Sequence, residues 1–261
     1  MDATLETSLT EQQLREEVRR LAPFHHKIEL PHGVSTHIPE LAGRQVESTR
    51  IANLVKHAFP SLLEACGGSL KGKRVLDVAC NCGGFSVEAA KLGAEYVLGV
   101  DIVDHYLEQA RFIKRVLKLN QVEFRTQNID TIEVETVGEF DVTFCFGILY
   151  HLENPAGVMR RLSAVTRRVM LVDTDVMPMR FNKKPYWLMN TVTQWTPDSK
   201  AVTTSRWRTE AVSIQFRPTM SAVVELLKVV GFKTVLTLKP HKDIEKRYLE
   251  GKRAAFVAIR D

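Results

Sequence analysis

From Lys73 onward, short apolar runs alternate with amphipathic helical stretches, and no other feature of the chain restricts its fold as much. The runs Arg74–Val78, Tyr96–Asp101, Gln121–Thr126, Phe140–Phe146 and Arg168–Asp173 are too short for helices. Continuously apolar strands of this kind belong to a parallel sheet covered on both faces. The stretches between them have helical period. In Asp104–Leu119 the residues Leu107, Ala110, Ile113 and Leu117 share one face. A second helix starts at the Asn154 cap with Pro155 in its first position, turning Val158, Leu162 and Val165 inward. A last helix, Thr219–Val230, stops at Gly231 before two more strand-like runs, Phe232–Leu238 and Ala254–Ile259. The expectation is an α/β fold with a doubly wound, mostly parallel sheet of seven strands.

Two regions fall outside that rhythm. Residues 1–70 read as a helical extension and lid preceding a main domain of residues 71–261. In the extension, Thr10 and Gln13 form a capping-box pattern for a surface helix over Thr10–Ala22, an appendage by its pattern. A second helix is expected over Arg44–Phe59. Residues 176–216, inserted after the fifth strand, are poorly periodic and hold Trp187, Trp195 and Trp207. Of the 261 residues 44% are hydrophobic, enough for one well-buried core. The 36 basic and 31 acidic residues are interspersed, so the net charge of +5 permits an anionic partner without requiring one. With no apolar run long enough to span a bilayer and a polar, acidic start, the chain is expected to be soluble and cytoplasmic. Cys66, Cys80, Cys82 and Cys145 lack zinc-site spacing and are expected as reduced thiols.

The turn after the first strand carries the chemistry. Asp77-Val78-Ala79-Cys80-Asn81-Cys82-Gly83 runs from a buried strand through small residues into a helix. Ligands of open parallel sheets bind at such strand ends, where small residues admit a close approach to the backbone. The dinucleotide fingerprint is missing, because Ala79 and Asn81 stand at its first two glycine positions. Asp77 suits a cationic or hydroxyl-bearing group better than a phosphate, and Asp101, closing the second strand, can accept both hydroxyls of a ribose. Two acids and no phosphate glycine point to a nucleoside without a pyrophosphate, a description S-adenosyl-L-methionine fits.

On these residues Val75–Pro155 resembles the Rossmann-like core of class I S-adenosylmethionine-dependent methyltransferases, whose first motif reads hh(D/E)hGxGxG with h hydrophobic. Of the glycines matched, only Gly83 is present. The resemblance implies that Asp101 binds the ribose, that Ile102 packs on the adenine, and that Asn128-Ile129 meets the adenine amine. It also places Cys145-Phe146-Gly147 beside the methionine moiety. About 190 residues follow the family's strand order. Two segments, Phe24–Thr36 and Phe140–Pro155, further resemble the branch typified by the tRNA wobble-uridine enzymes and related bacterial small-molecule methyltransferases.

Methyl transfer from a sulfonium needs alignment and a water-poor site, with no requirement for a metal. An alcohol acceptor also needs a proton taken up, for which histidine is suited. His151, just past the fourth strand, is the candidate general base, and His26 is a second candidate or an acceptor-positioning group. Asp173 and Asp175 are a weaker pair for a divalent cation. The insertion is expected to cover the acceptor through Phe181, Tyr186, Trp187, Trp195 and Trp207. Its surroundings carry Arg180, Lys183, Lys184, Arg206 and Arg208, which can meet phosphates. The expected function is methylation of a hydroxyl or amine on a small metabolite such as a sugar or natural-product intermediate. RNA methylation and a catalytically silent cofactor-binding module are the alternatives, and a homodimer is a mild expectation.

Overall fold

A computed structural model describes residues 9–38, 50–178, 184–192 and 213–260. Strands β1 (Arg74–Val78), β2 (Tyr96–Asp101), β3 (Val122–Thr126), β4 (Phe140–Phe146) and β5 (Thr166–Asp175) are mutually parallel. Two further strands, β6 (Trp187–Val192) and β7 (Ser213–Pro218), form a separate antiparallel pair. The main sheet is completed by β8 (Thr234–Thr237) and β9 (Arg253–Ile259), in the order β3-β2-β1-β4-β5-β9-β8, with β9 antiparallel to both neighbours. The expected seven-stranded, mostly parallel sheet is present.

Period-2 alternation divides the core into two layers. Val75 of β1 joins one layer, while Leu76 and Val78 join the other. The first layer receives α1 (Glu11–Leu21), α2 (Arg50–Ala65), α3 (Gly84–Lys91) and α4 (Asp104–Val116). After the short helix α5 (Val134–Val137), α6 (Pro155–Val165) and α7 (Met220–Val229) cover the opposite face. A last short helix, α8 (Lys246–Leu249), precedes β9. Asn154 caps α6 as expected, its Oδ1 accepting from Gly157 N–H at 2.9 Å.

Three expectations change. Helix α1 has the expected Thr10–Gln13 capping box, yet it is no appendage: Leu14, Val18 and Leu21 are each 1% exposed and belong to the main core. Gln109 of α4 donates to the carbonyls of Leu21 at 2.7 Å and Pro23 at 2.9 Å, tying the segment down. Helix α2 continues through Pro60 to Ala65, because Leu54, Ala58, Phe59 and Leu62 bury one continuous face. Its expected start at Arg44 lies outside the described residues. Finally, the aperiodic insertion contains β6 and β7. Twenty residues separate the two strands, so no tight-turn signal announces the pair.

Candidate active site

Parallel pairing brings the ends of β1, β2 and β4 to one edge of the sheet, with Asp77 opposite Gly99 and Phe144. Beyond β1 the backbone turns left-handed at Ala79 (φ 53°), Asn81 (φ 52°) and Gly83 (φ 78°). Ala79 and Asn81 thus adopt the conformation that glycine adopts without penalty. Gly83 is required sterically as well: a Cβ there would come within 2.6 Å of the Phe124 ring.

Two carboxylates flank this turn. Asp77 is 1% exposed and accepts from Ser86 Oγ of α3 at 2.7 Å. Burial pushes its pKa up to about 7, the Ser86 hydrogen bonds pulling the other way. Asp101 accepts from the N–H groups of Asn81 at 2.9 Å and Val103 at 3.0 Å, one on each oxygen. Its pKa is raised by burial and held back by those donors. Ile102 N–H is a third backbone donor to this carboxylate, and the acceptor capacity the three leave is open to a ribose hydroxyl. Tyr106 of α4, which the sequence reading passed over, lies beside the Asn81 side chain, and its phenol is pushed up by burial and by Asp101.

Ile102 is half-buried directly after Asp101. Asn128 and Ile129 follow β3, whose Thr126 pairs with Asp101, so they reach the same edge. Asn128 is exposed, and its Oδ1 is already engaged, accepting from Asp130 N–H at 2.9 Å. Cys145, near the end of β4, pairs with Val78 of β1; its side chain is fully buried in the layer under α6 and α7, and burial pushes its thiol up to about 12. Phe146 faces the other layer, packing edge-on against Phe85 at 4.6 Å. All four cysteines are free and buried.

The two histidine candidates occupy different places. His26 is 4% exposed, and its Nδ1 accepts from Gly84 N–H at the start of α3, at 3.3 Å. The backbone N–H groups of His26 and His25 hydrogen-bond Cys82. Thr36 holds the segment in shape, donating to the His26 carbonyl at 2.6 Å and accepting from Ile28 N–H at 2.9 Å. His26 therefore anchors the start of α3, just past the turn that follows β1. His151 ends a 3-10 turn, Leu149–His151, just past β4. Its ring lies 4.0 Å from that of Tyr150, and its Nδ1 is 3.2 Å from Gln215 Nε2 of β7.

Asp173 and Asp175, considered for a cation, are instead consumed by ion pairs. Arg253 Nε donates to both Asp173 oxygens at 3.1 and 3.0 Å, its Nη2 also reaching Asp173, and Nη1 reaches Asp175 at 3.3 Å. Tyr248 Oη donates to Asp173 and Arg247 Nη2 to Asp175, each at 2.5 Å. Among the described residues no cluster suits a metal ion. Of the insertion's candidates, Tyr186 is half-exposed and Trp187 packs on the layer beneath α7. Lys184 is exposed. Phe181, Trp195, Trp207, Arg180, Lys183, Arg206 and Arg208 lie outside the described residues.

A doubly wound sheet with a left-handed turn between two strand-end carboxylates defines a nucleoside-binding α/β protein of the class I methyltransferase type. A profile of the family described as "Methyltransferase domain" matches residues 69–214. The chain belongs to this family, whose methyl donor is S-adenosylmethionine. It is 34% identical over 105 residues to a ubiquinone biosynthesis O-methyltransferase of Bordetella parapertussis, an alignment covering 40% of this chain and 43% of that protein. A Neisseria meningitidis protein of the same name is 32% identical over 91 residues, 35% of this chain and 38% of that one. The chain thus spans less than half the length of these curated relatives. Among solved structures, the N-terminal domain of EvdMO1 in the presence of SAH and D-fucose shares the fold, with a TM-score of 0.67, 18% identity and 96% of both chains covered. Magnesium protoporphyrin IX methyltransferase of Synechocystis PCC 6803 with bound SAM gives 0.57 at 18% identity, covering 86% of this chain and 87% of that one.

Proposed function

We propose that the protein transfers a methyl group from S-adenosylmethionine to a hydroxyl of a small hydroxylated metabolite. The observation that carries this reading is the cofactor turn, left-handed at Ala79, Asn81 and Gly83 between Asp77 and Asp101, with His151 past the end of the neighbouring strand β4. The O-methyltransferase relatives and the sugar-containing EvdMO1 structure support oxygen over nitrogen and a small acceptor over RNA. When bound, the cofactor supplies a methyl group on a positively charged sulfur, open to in-line attack.

In this reading Asp101 holds a ribose hydroxyl with the acceptor capacity its three backbone donors leave available. Above about pH 7 Asp77 supplies negative charge at the turn, and the left-handed backbone lets the cofactor lie close. Ile102 bears on the adenine, with Asn128 and Ile129 at its rim and the backbone of Cys145 and Phe146 toward the methionine end. His151 takes the proton from the acceptor hydroxyl. His26, buried against Gly84, fits anchoring of the turn better than proton transfer.

The test incubates the protein with labelled S-adenosylmethionine and fractionated cell extract. Label entering the small-molecule pool is the expected result. Label in RNA overturns the acceptor class, and binding of the demethylated cofactor without any transfer overturns the enzymatic reading. His151→Ala should keep its affinity for S-adenosylhomocysteine and lose about 100-fold or more in turnover. Undiminished turnover ends the base role.

A further inference from the structure

The hairpin inserted after β5 reaches back to the end of β4, and the contact is specific. Gln215, in the middle of β7, is half-buried, and its side-chain amide meets Nδ1 of His151 at 3.2 Å. Gln215 pairs across the hairpin with Asn190 of β6, so its position is fixed by a ladder of backbone hydrogen bonds. We propose that Gln215 is a positioning residue for the transfer reaction, engaging Nδ1 of His151 so that Nε2 becomes the nitrogen that receives the acceptor's proton. The inference rests on the reading of His151 as general base.

The chemistry follows from what each nitrogen can do. A neutral imidazole has one donor and one acceptor nitrogen, and the hydrogen bond at one sets the role of the other. An amide offers a donor on one arm and an acceptor on the other, and a half-turn about its last bond exchanges them in place. The arm placed toward Nδ1 is the amide nitrogen; the half-turn that brings Oε1 there lets Gln215 accept from Nδ1–H and makes Nε2 the ring's acceptor nitrogen. During transfer the acceptor oxygen gives its proton to Nε2 and gains the methyl carbon, while sulfur keeps the electron pair of the broken bond. The imidazolium that results still donates Nδ1–H to the same Oε1. Gln215 therefore serves the ring before and after proton uptake without moving, and being neutral it does not trap the proton as a carboxylate would. Proton acceptor and orienting group arise from separate elements, β4's following turn and the inserted hairpin, so the site is complete only with the hairpin seated.

The test is nitrogen NMR of the His151 ring in the full chain saturated with S-adenosylhomocysteine. Free histidine favours the proton on Nε2; the wild-type protein is expected to carry it on Nδ1. Gln215→Met should return the proton to Nε2 and lower methyl incorporation from labelled S-adenosylmethionine into extract at least about tenfold, with S-adenosylhomocysteine affinity unchanged. Gln215→Glu, which puts a carboxylate acceptor at that place, should keep a proton on Nδ1 and shift His151 toward the doubly protonated imidazolium. An identical His151 spectrum in the wild type and Gln215→Met overturns the proposal. Full turnover in His151→Ala overturns the base reading separately, whatever the spectrum shows.

Discussion

Asp77 shows most directly what the site costs the protein. Its carboxyl is sealed under α3 with one hydroxyl partner, and burial raises its pKa from 3.8 to about 7. Since the folded value exceeds the unfolded one, the folded state holds this proton more tightly across the interval. Stability is therefore lost as pH rises from about 4 to about 7, by an amount on the order of 2–4 kcal/mol. Asp77→Asn keeps a partner for Ser86 and removes that penalty. It should raise the thermal midpoint at pH 8 by roughly 5–10 °C, with a smaller gain at pH 5, and weaken cofactor binding in calorimetry. Ala79 is a second strained position. Ala79→Gly should be neutral to about 1 kcal/mol stabilising in denaturant titration, and Ala79→Val clearly destabilising by more than 1 kcal/mol. Asp77, Asn81, Gly83 and Asp101 were readable as a cluster because two strand ends and one turn bring them together locally. Gln215 was not, since its partner His151 lies 64 residues away and nothing in either local pattern marks the pair.

The elements most easily recognised were those whose identity is decided by their own residues. Helix α6 has Asn154, Pro155 and an apolar stripe, and β1 to β5 fell within two residues of expectation at either end. What went unrecognised was how the N-terminal elements dock, since an apolar stripe on α1 says that it must be buried but not against what. The answer lies at Gly84, where a Cβ would run into Ile51 and come within 2.7 Å of His26 Nδ1. Gly84→Ala should therefore displace the His26 segment and α2 from the start of α3. The expected outcome is a loss of about 1–3 kcal/mol in denaturant titration, with faster proteolysis near residues 24–36 than in the wild type. Helix propensity alone predicts the opposite sign, because alanine is the better helix former.

Across the molecule, β9 is tied to the carboxyl end of β5 by Arg253, which is 2% exposed with both of its carboxylate partners buried. Burial works against its charge, but the facing Asp173 holds the guanidinium pKa well above its ordinary value. Such a pair adds little net stability over an apolar substitute, yet breaking it strands a charge. Asp173→Ala should cost about 3–5 kcal/mol and lower the thermal midpoint by roughly 10 °C, while a matched Asp173→Leu, Arg253→Met double variant recovers much of the loss.

The same ion pair bears on how the polypeptide matures. Asp173 and Arg253 are 80 residues apart, and β9 enters the sheet between two strands that are both made before it. As the chain leaves the ribosome, the half-built sheet carries Asp173 and Asp175 before their cationic partners Arg247 and Arg253 have been made, and one strand position between β5 and β8 stands unfilled. That interval is when the protein is most open to capture by a chaperone or to pairing with the wrong ribbon, and arrival of β9 ends it in a single cooperative step.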